Sequence, residues 1–302
     1  MAVTGKLSSK ERVDRALAGA DVDRPPFSLW HHFRLSAFPG ERHAAATLDF
    51  HRKFRTDIVK VMSDYPYPKP SGGIEAIKPV ANPFPEQLRA LDIIREGLAG
   101  EAWFLETVFN PYNQAAKTFS KPEVARLRQE RPQVLLDTLD AITVSEINHV
   151  RKALAAGAAG IFLAIDCAVA GVMTEEEYAK FSEPFDRRVL EAASGAHFNV
   201  MHLHGDKVYL DRFWKGWPPA VINYEAQLAG FDFAAARRQF SGVLMGGIDE
   251  VNYRTLSEAE IARQWHAAAE AAGKKYILSP GCSVPDNSTD EELVRLAHVV
   301  GA

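Results

Sequence analysis

The chain has 302 residues, 47% of them apolar, two cysteines (Cys167 and Cys282) and a net charge of −4 with both signs mixed along its length. The absence of a basic stripe excludes a nucleic-acid footprint, and two cysteines exclude a disulfide framework. No apolar run reaches the ~18 residues that a membrane span needs, and Met1–Lys6 carries no signal-peptide core, so a soluble, cytoplasmic protein is expected.

In chain order, Ser8-Ser9-Lys10-Glu11 reads as a capping-box start to a first helix. Short apolar runs then recur at Phe27–Trp30, Asp57–Met62, Trp103–Phe109, Ile161–Ile165, Phe198–His202, Ala220–Tyr224, Val243–Gly247 and Tyr276–Ser279. They lack clean polar alternation, as strands buried on both faces of a parallel sheet do. Helical patterns lie between them. Thr174-Glu175-Glu176-Glu177 opens a helix running to about Glu183, Ser257-Glu258-Ala259-Glu260 opens one ended by Gly273, and Thr289-Asp290-Glu291-Glu292 opens the last. Strand–helix alternation repeated about eight times predicts a single (β/α)8 TIM barrel over residues 1–302. The Pro-rich stretch from Pro66 to Pro85 reads as a long loop near the barrel mouth.

In such a barrel, function sits at the carboxyl ends of the strands. Those ends carry His31 and His32, Asp64, Glu106 and Asn110, Asp166, His202 and His204, Asn223 to Glu225, Asp249 and Cys282. Residues i and i+2 of a strand point the same way, so His202 and His204 would face one side together. Two imidazoles and a thiolate meeting there make a three-ligand zinc site with an open fourth position, which suits catalysis better than structural stapling. A His-x-His also opens amidohydrolase barrels, but there it follows the first strand, whereas here it follows about the fifth. Asp64 and Tyr224 are the candidate catalytic residues, as proton carriers or orienting groups. His31, His32, Asp166, Asp249, Glu106 and Asn110 are the candidate substrate-binding residues, with loop-holding at the Gly246-Gly247 turn an equal reading for Asp249. Cys167 has no neighbouring base and reads as packing. Trp214 and Trp217 read as exposed aromatics suited to a partner contact or a homodimer.

The chain resembles the uroporphyrinogen decarboxylase superfamily along nearly its whole length. The resemblance rests on Lys10-Glu11-Arg12-Val13 through Val22-Asp23-Arg24-Pro25-Pro26, on Met62-Ser63-Asp64, and on Asp166-Cys167-Ala168-Val169-Ala170-Gly171 followed by Glu177-Tyr178 and Glu183-Pro184-Phe185. Gly246-Gly247-Ile248-Asp249 completes the series. Trp30-His31-His32-Phe33-Arg34-Leu35 stands where the decarboxylase branch has an arginine-rich run that binds substrate carboxylates. The methyltransferase branch, acting on methylated corrinoid proteins, carries a zinc-binding His-x-Cys and a late Gly-Cys turn. His202 matches its His, Cys282 matches its late Cys, and His204 replaces the middle Cys. The resemblance therefore implies a zinc-dependent methyltransferase moving a methyl group between a corrinoid (cobalamin), carried by a partner protein, and a small thiol or methylated substrate. Two alternatives stay open. One is a decarboxylase or lyase acting on a small acid or tetrapyrrole; the other is a protein that binds a corrinoid or porphyrinoid without turnover.

Overall fold

The apolar runs become strands that are all parallel. A computed structural model describes residues 5–218 and 220–301; the Met1–Thr4 part of the start discussed above lies outside them. Seven strands form one sheet in sequence order: β1 (Ile58–Val61), β2 (Trp103–Phe109), β3 (Gly160–Ile165), β4 (Val200–Leu203), β5 (Val221–Tyr224), β6 (Leu244–Ile248) and β7 (Tyr276–Pro280). Helices separate them, as parallel neighbours require a crossover, except between β4 and β5, where among the described residues the connection carries only a single 3-10 turn at Leu210–Arg212. One side chain in two faces inward: Ile58, Met62, Leu105, Phe162, Val200, Val221, Met245 and Ile277 pack together on the inner face. The alternate residues, such as Ile161, Leu163, Met201, Ile222 and Leu244, pack outward against the helices.

The expected eighth strand is the correction. Phe27 makes only one parallel bridge, to Leu278 of β7. The cause lies just upstream: Pro25 and Pro26 have no N–H to give to a ladder. The segment still reaches both sheet edges. Leu278 N–H donates to Pro26 O (2.8 Å) and Ser28 N–H to Leu278 O (3.0 Å), while Asp57 N–H donates to Phe27 O (2.7 Å). Side chains complete the join. The buried Asp57 carboxylate accepts from Phe27 N–H (2.9 Å), Arg12 Nη1 (2.6 Å) and Arg24 Nη1 (2.6 Å).

The helix signals hold at several ends. Thr174 and Thr289 form capping boxes with Glu177 and Glu292, Ser257 caps Glu258–Ala272, and Gly273 ends that helix. Ser8 caps Ser9–Ala18 through Glu11 N–H. The helix opened by Thr174 stops at Phe181, and a second begins at Glu183. The Pro66 to Pro85 stretch folds over the helix Pro132–Ala155 and not over the cavity described below: Tyr67 Oη and Val80 N–H both bond Ser145 Oγ (2.8 Å each). Trp214 is buried against Phe231 and Phe240, and Trp217 stacks on Phe213 beneath Arg187, so neither is a free surface aromatic. Among the described residues, no helix is long and apolar enough to cross a membrane.

Candidate active site

Above the inner apolar layer, at the carboxyl ends of the strands, lies a cavity of about 310 Å³. Its walls include Lys60, Thr107, Asp166, His202, His204 and Cys282, with Asn113, Lys117 and Lys121 from the helical side. His202, His204 and Cys282 each place one ligand atom within 4.8 Å of the others. The parallel register explains the meeting. His202 stands one residue before the end of β4, beside Asn223 of β5, and the turn after β7 brings Cys282 round to them.

Asn223 decides the chemical state of His202. Its Nδ2 donates to two carbonyl oxygens, Met245 O and Pro280 O (3.1 Å each), which only the amide nitrogen can do. Its Oδ1 therefore faces His202 Nδ1 at 2.6 Å and accepts that proton. His202 is left as the tautomer with its Nε2 lone pair free, the form that ligates a metal. The ring is only 5% exposed. Burial, with the nearby His204 and Lys60 charges, pulls its pKa down to about 3, so the lone pair stays unprotonated at neutral pH.

His204 is the opposite case. Its Nδ1 lies 3.4 Å from Cys282 Sγ and 2.9 Å from Glu225 Oε1. Hydrogen bonds to those two groups, Cys282 first, outweigh burial and push the imidazole up to about 10. Glu225 is buried and directly follows β5; its carboxylate can hold the His204 ring in place or offer an oxygen donor to the same centre. Behind it, Gly281 N–H donates to Glu250 Oε2 (2.9 Å), fixing the turn that presents Cys282. Burial pushes Glu250 up to about 7.

The remaining candidates divide. His32 and Asp166 line the cavity, and burial raises Asp166. Asp64 sits behind His32, accepting from His32 Nδ1 (2.8 Å) and Arg34 N–H (3.1 Å). Burial pushes Asp64 up, but the His32 bond and charge outweigh it and hold it below the usual carboxylate range. It is placed to orient His32. His31 turns away into an aromatic nest with Phe33 and Phe50.

Four further residues are placed outside the cavity, each for a reason of side-chain phase or local turn chemistry. Glu106 lies on the outer face of β2, buried with His149 Nε2 (2.8 Å) and Gln87 Nε2 (2.9 Å). Asn110 caps the helix Pro111–Phe119 and reaches Ser182 and Asp186. Tyr224, next to the inward Asn223, points outward against Trp214 and Phe233, and its buried hydroxyl has no hydrogen-bond partner among the described residues. Asp249 accepts from Val251 and Asn252 N–H groups and so holds its own loop.

Sequence reasoning missed Lys60, Lys117 and Lys121; it counted Asn223 and Glu225 among the strand-end residues, giving Asn223 no role and Glu225 only a weaker substrate-binding or loop-holding one. Lys60 lies mid-strand in an apolar run, Ile58 to Met62, and a charge at an inward position of a buried strand was the available signal.

The sequence profile of the uroporphyrinogen decarboxylase (URO-D) family matches residues 66–302. The chain belongs to that family. No curated protein matches it by sequence. Among solved structures, this URO-D family chain is similar to a methyltransferase from Methanosarcina mazei, with TM-score 0.78 and 18% identity over 98% of this chain and 99% of that one. It is also similar to a B12-independent methionine synthase from Shewanella sp. W3-18-1, with TM-score 0.60 and 12% identity over 92% and 96% of the two chains. A putative vitamin-B12 independent methionine synthase from Listeria monocytogenes gives TM-score 0.54 and 12% identity over 87% and 85%. At these identities the likeness is one of fold.

Proposed function

We propose that this URO-D family member is a zinc-dependent methyltransferase that exchanges a methyl group between a corrinoid, brought by a partner protein, and a small thiol or methylated substrate. The observation that carries the reading is the His202, His204 and Cys282 cluster on the wall of a substrate-sized cavity. The donor set fits zinc: with His204 releasing its proton and Cys282 binding as the thiolate, two imidazoles and one thiolate would leave a fourth position for a substrate atom. When bound there, zinc lowers the pKa of a coordinated thiol, making a nucleophile at neutral pH. The family fold and its likeness to methyltransferase structures support the same direction.

The chain's own residues then have definite tasks. Asn223 keeps the His202 lone pair aimed into the cavity, and Glu225 braces His204. Asp166, raised by burial, can carry a proton at the cavity wall. Phe109 and Phe162 keep part of the cavity apolar, which limits water around a nucleophile.

The test joins metal content to activity. Elemental analysis of the purified protein should find about one zinc per chain, lost in both His204→Ala and Cys282→Ser. Methyl transfer from methylcobalamin to a thiol should fall with the metal. Full transfer by a zinc-free Cys282→Ser protein would refute the proposal.

A further inference from the structure

Lys60 projects from β1 into the cavity and is 7% exposed. Its ammonium sits over two aromatic faces, 4.5 Å from the Phe162 centroid and 5.4 Å from that of Trp30. Its one hydrogen bond among the described residues is to Met62 Sδ (2.9 Å), a weak acceptor. No carboxylate lies within ion-pair distance of it among the described residues. A buried cation left in that condition is expensive, and proteins ordinarily pair it. Lys117 repeats the pattern. It reaches the same cavity from the helix Pro111–Phe119, rests 3.3 Å from the Phe109 ring centroid and has no ion-pair partner among the described residues. Lys121 stands at the wall nearby. Against these three cations the lining offers one carboxylate, Asp166, since Asp64 is engaged by His32 behind the wall. In a chain of net charge −4, positive charge is concentrated inside this cavity. Lys60 is also close to the His202–His204–Cys282 cluster. Its ammonium and the His202 ring both lie against Phe162, the ring at 5.3 Å, so their separation cannot exceed those two distances laid end to end.

We infer that Lys60, supported by Lys117, binds an anionic group of the substrate, so that the molecule held against the cluster is a small organic anion bearing a carboxylate, sulfonate or phosphate. The inference deepens the methyltransferase reading and rests on it only for the cavity being the substrate site. The ammonium–anion contact supplies what Lys60 lacks in the chain itself and places the reacting atom at a set distance from His202. Burial pulls Lys60 down to about 7, and an anion beside it would restore the charged form. This selects among substrates by charge, because a neutral analogue of equal size leaves the buried cation unpaired.

The experiment compares matched probes on the intact protein. Propionate and propionamide, and 3-mercaptopropionate and 3-mercaptopropionamide, are titrated by ligand-observed NMR into wild type, Lys60→Met, Lys60→Arg and Lys117→Met, with zinc content measured on each sample. The wild type should favour each anion over its amide by about tenfold. Lys60→Met should lose that preference, Lys60→Arg should keep most of it, and Lys117→Met should weaken it. Equal binding of acid and amide by the wild type, or an unchanged preference in a folded Lys60→Met protein, overturns the inference. Because the propionate pair has no thiol, the two readings fail separately. Anion preference without zinc would sink the zinc reading alone, and zinc without anion preference would sink the anion reading alone.

Discussion

At the scale of single residues, the site works by assigning different states to similar groups. His202 and His204 are two residues apart, yet burial and the nearby His204 and Lys60 charges make the first neutral, with Asn223 fixing its tautomer, while Cys282 and Glu225 draw a proton to the second. Lys60 lets this kind of argument be tested through stability. Its folded pKa is about 7 against an ordinary 10.5. Between those values the unfolded chain binds the proton and the folded one does not, so this group makes stability rise with pH across that window. Below pH 7 both forms are protonated and the full penalty of the buried charge remains. Lys60→Met removes the group. Its melting temperature at pH 7 should exceed the wild type's by about 2 °C or more, and the gap should narrow as pH approaches 10. Melting curves at several pH values would check this; a gap that widens with pH would contradict the assignment.

At the scale of elements, strands and turns deliver side chains to the cavity with little tolerance. Alternation along β1 to β5 decides which candidates face inward, and a residue's neighbours in sequence are turned the other way. That is why Asn223 is in the site and Tyr224 is not, and why Glu106 serves the helix layer while Thr107 faces the cavity. The strand-end positions were legible in the sequence because short apolar runs ending in polar residues mark parallel strands. The phase of each strand was not, since runs apolar on both faces carry no alternation to read. His202, His204 and Cys282 were legible for a different reason: their residue types and i, i+2 spacing carry metal chemistry whatever the exact register. The turn after β7 carries a sharper constraint. A Cβ on Gly281 would lie 2.7 Å from Glu225 Cα and 3.1 Å from Tyr224 O, both backbone atoms. Gly281→Ala should therefore push Cys282 away from His204 and lower zinc affinity by about tenfold or more, with little change in circular dichroism. Unaltered zinc affinity in that variant would show that the turn has room to move.

At the scale of the whole molecule, a parallel α/β architecture was legible from the alternation of elements, whereas the eighth strand was not formed. Pro25 and Pro26 cancel a ladder that the apolar run from Phe27 to Trp30 otherwise suggests. Asp57 takes over part of the task. It bonds the Phe27 amide and two arginines, one of them, Arg12, buried. Asp57→Ala leaves the guanidinium of Arg12 with Asp23 and the Leu7 carbonyl but without its partner on the β1 side. Losing one member of a buried charged network costs about 3–5 kcal/mol, so chemical denaturation should show a loss of that order. A loss below about 1 kcal/mol would mean that the backbone bonds alone hold the edges together.

The same join has a consequence for how the molecule moves. The backbone that links β7 to β1 continues directly into Trp30 and His32, which line the cavity. Elsewhere the sheet edges are tied by ladders; here they are tied by a few amide bonds and one carboxylate. Breathing motions that expose amide hydrogens to solvent will therefore concentrate along this line, at lower free energy than in β2 to β4. Any widening there also shifts a wall of the cavity, so the weakest seam of the sheet and the shape of the cavity are governed by one local opening.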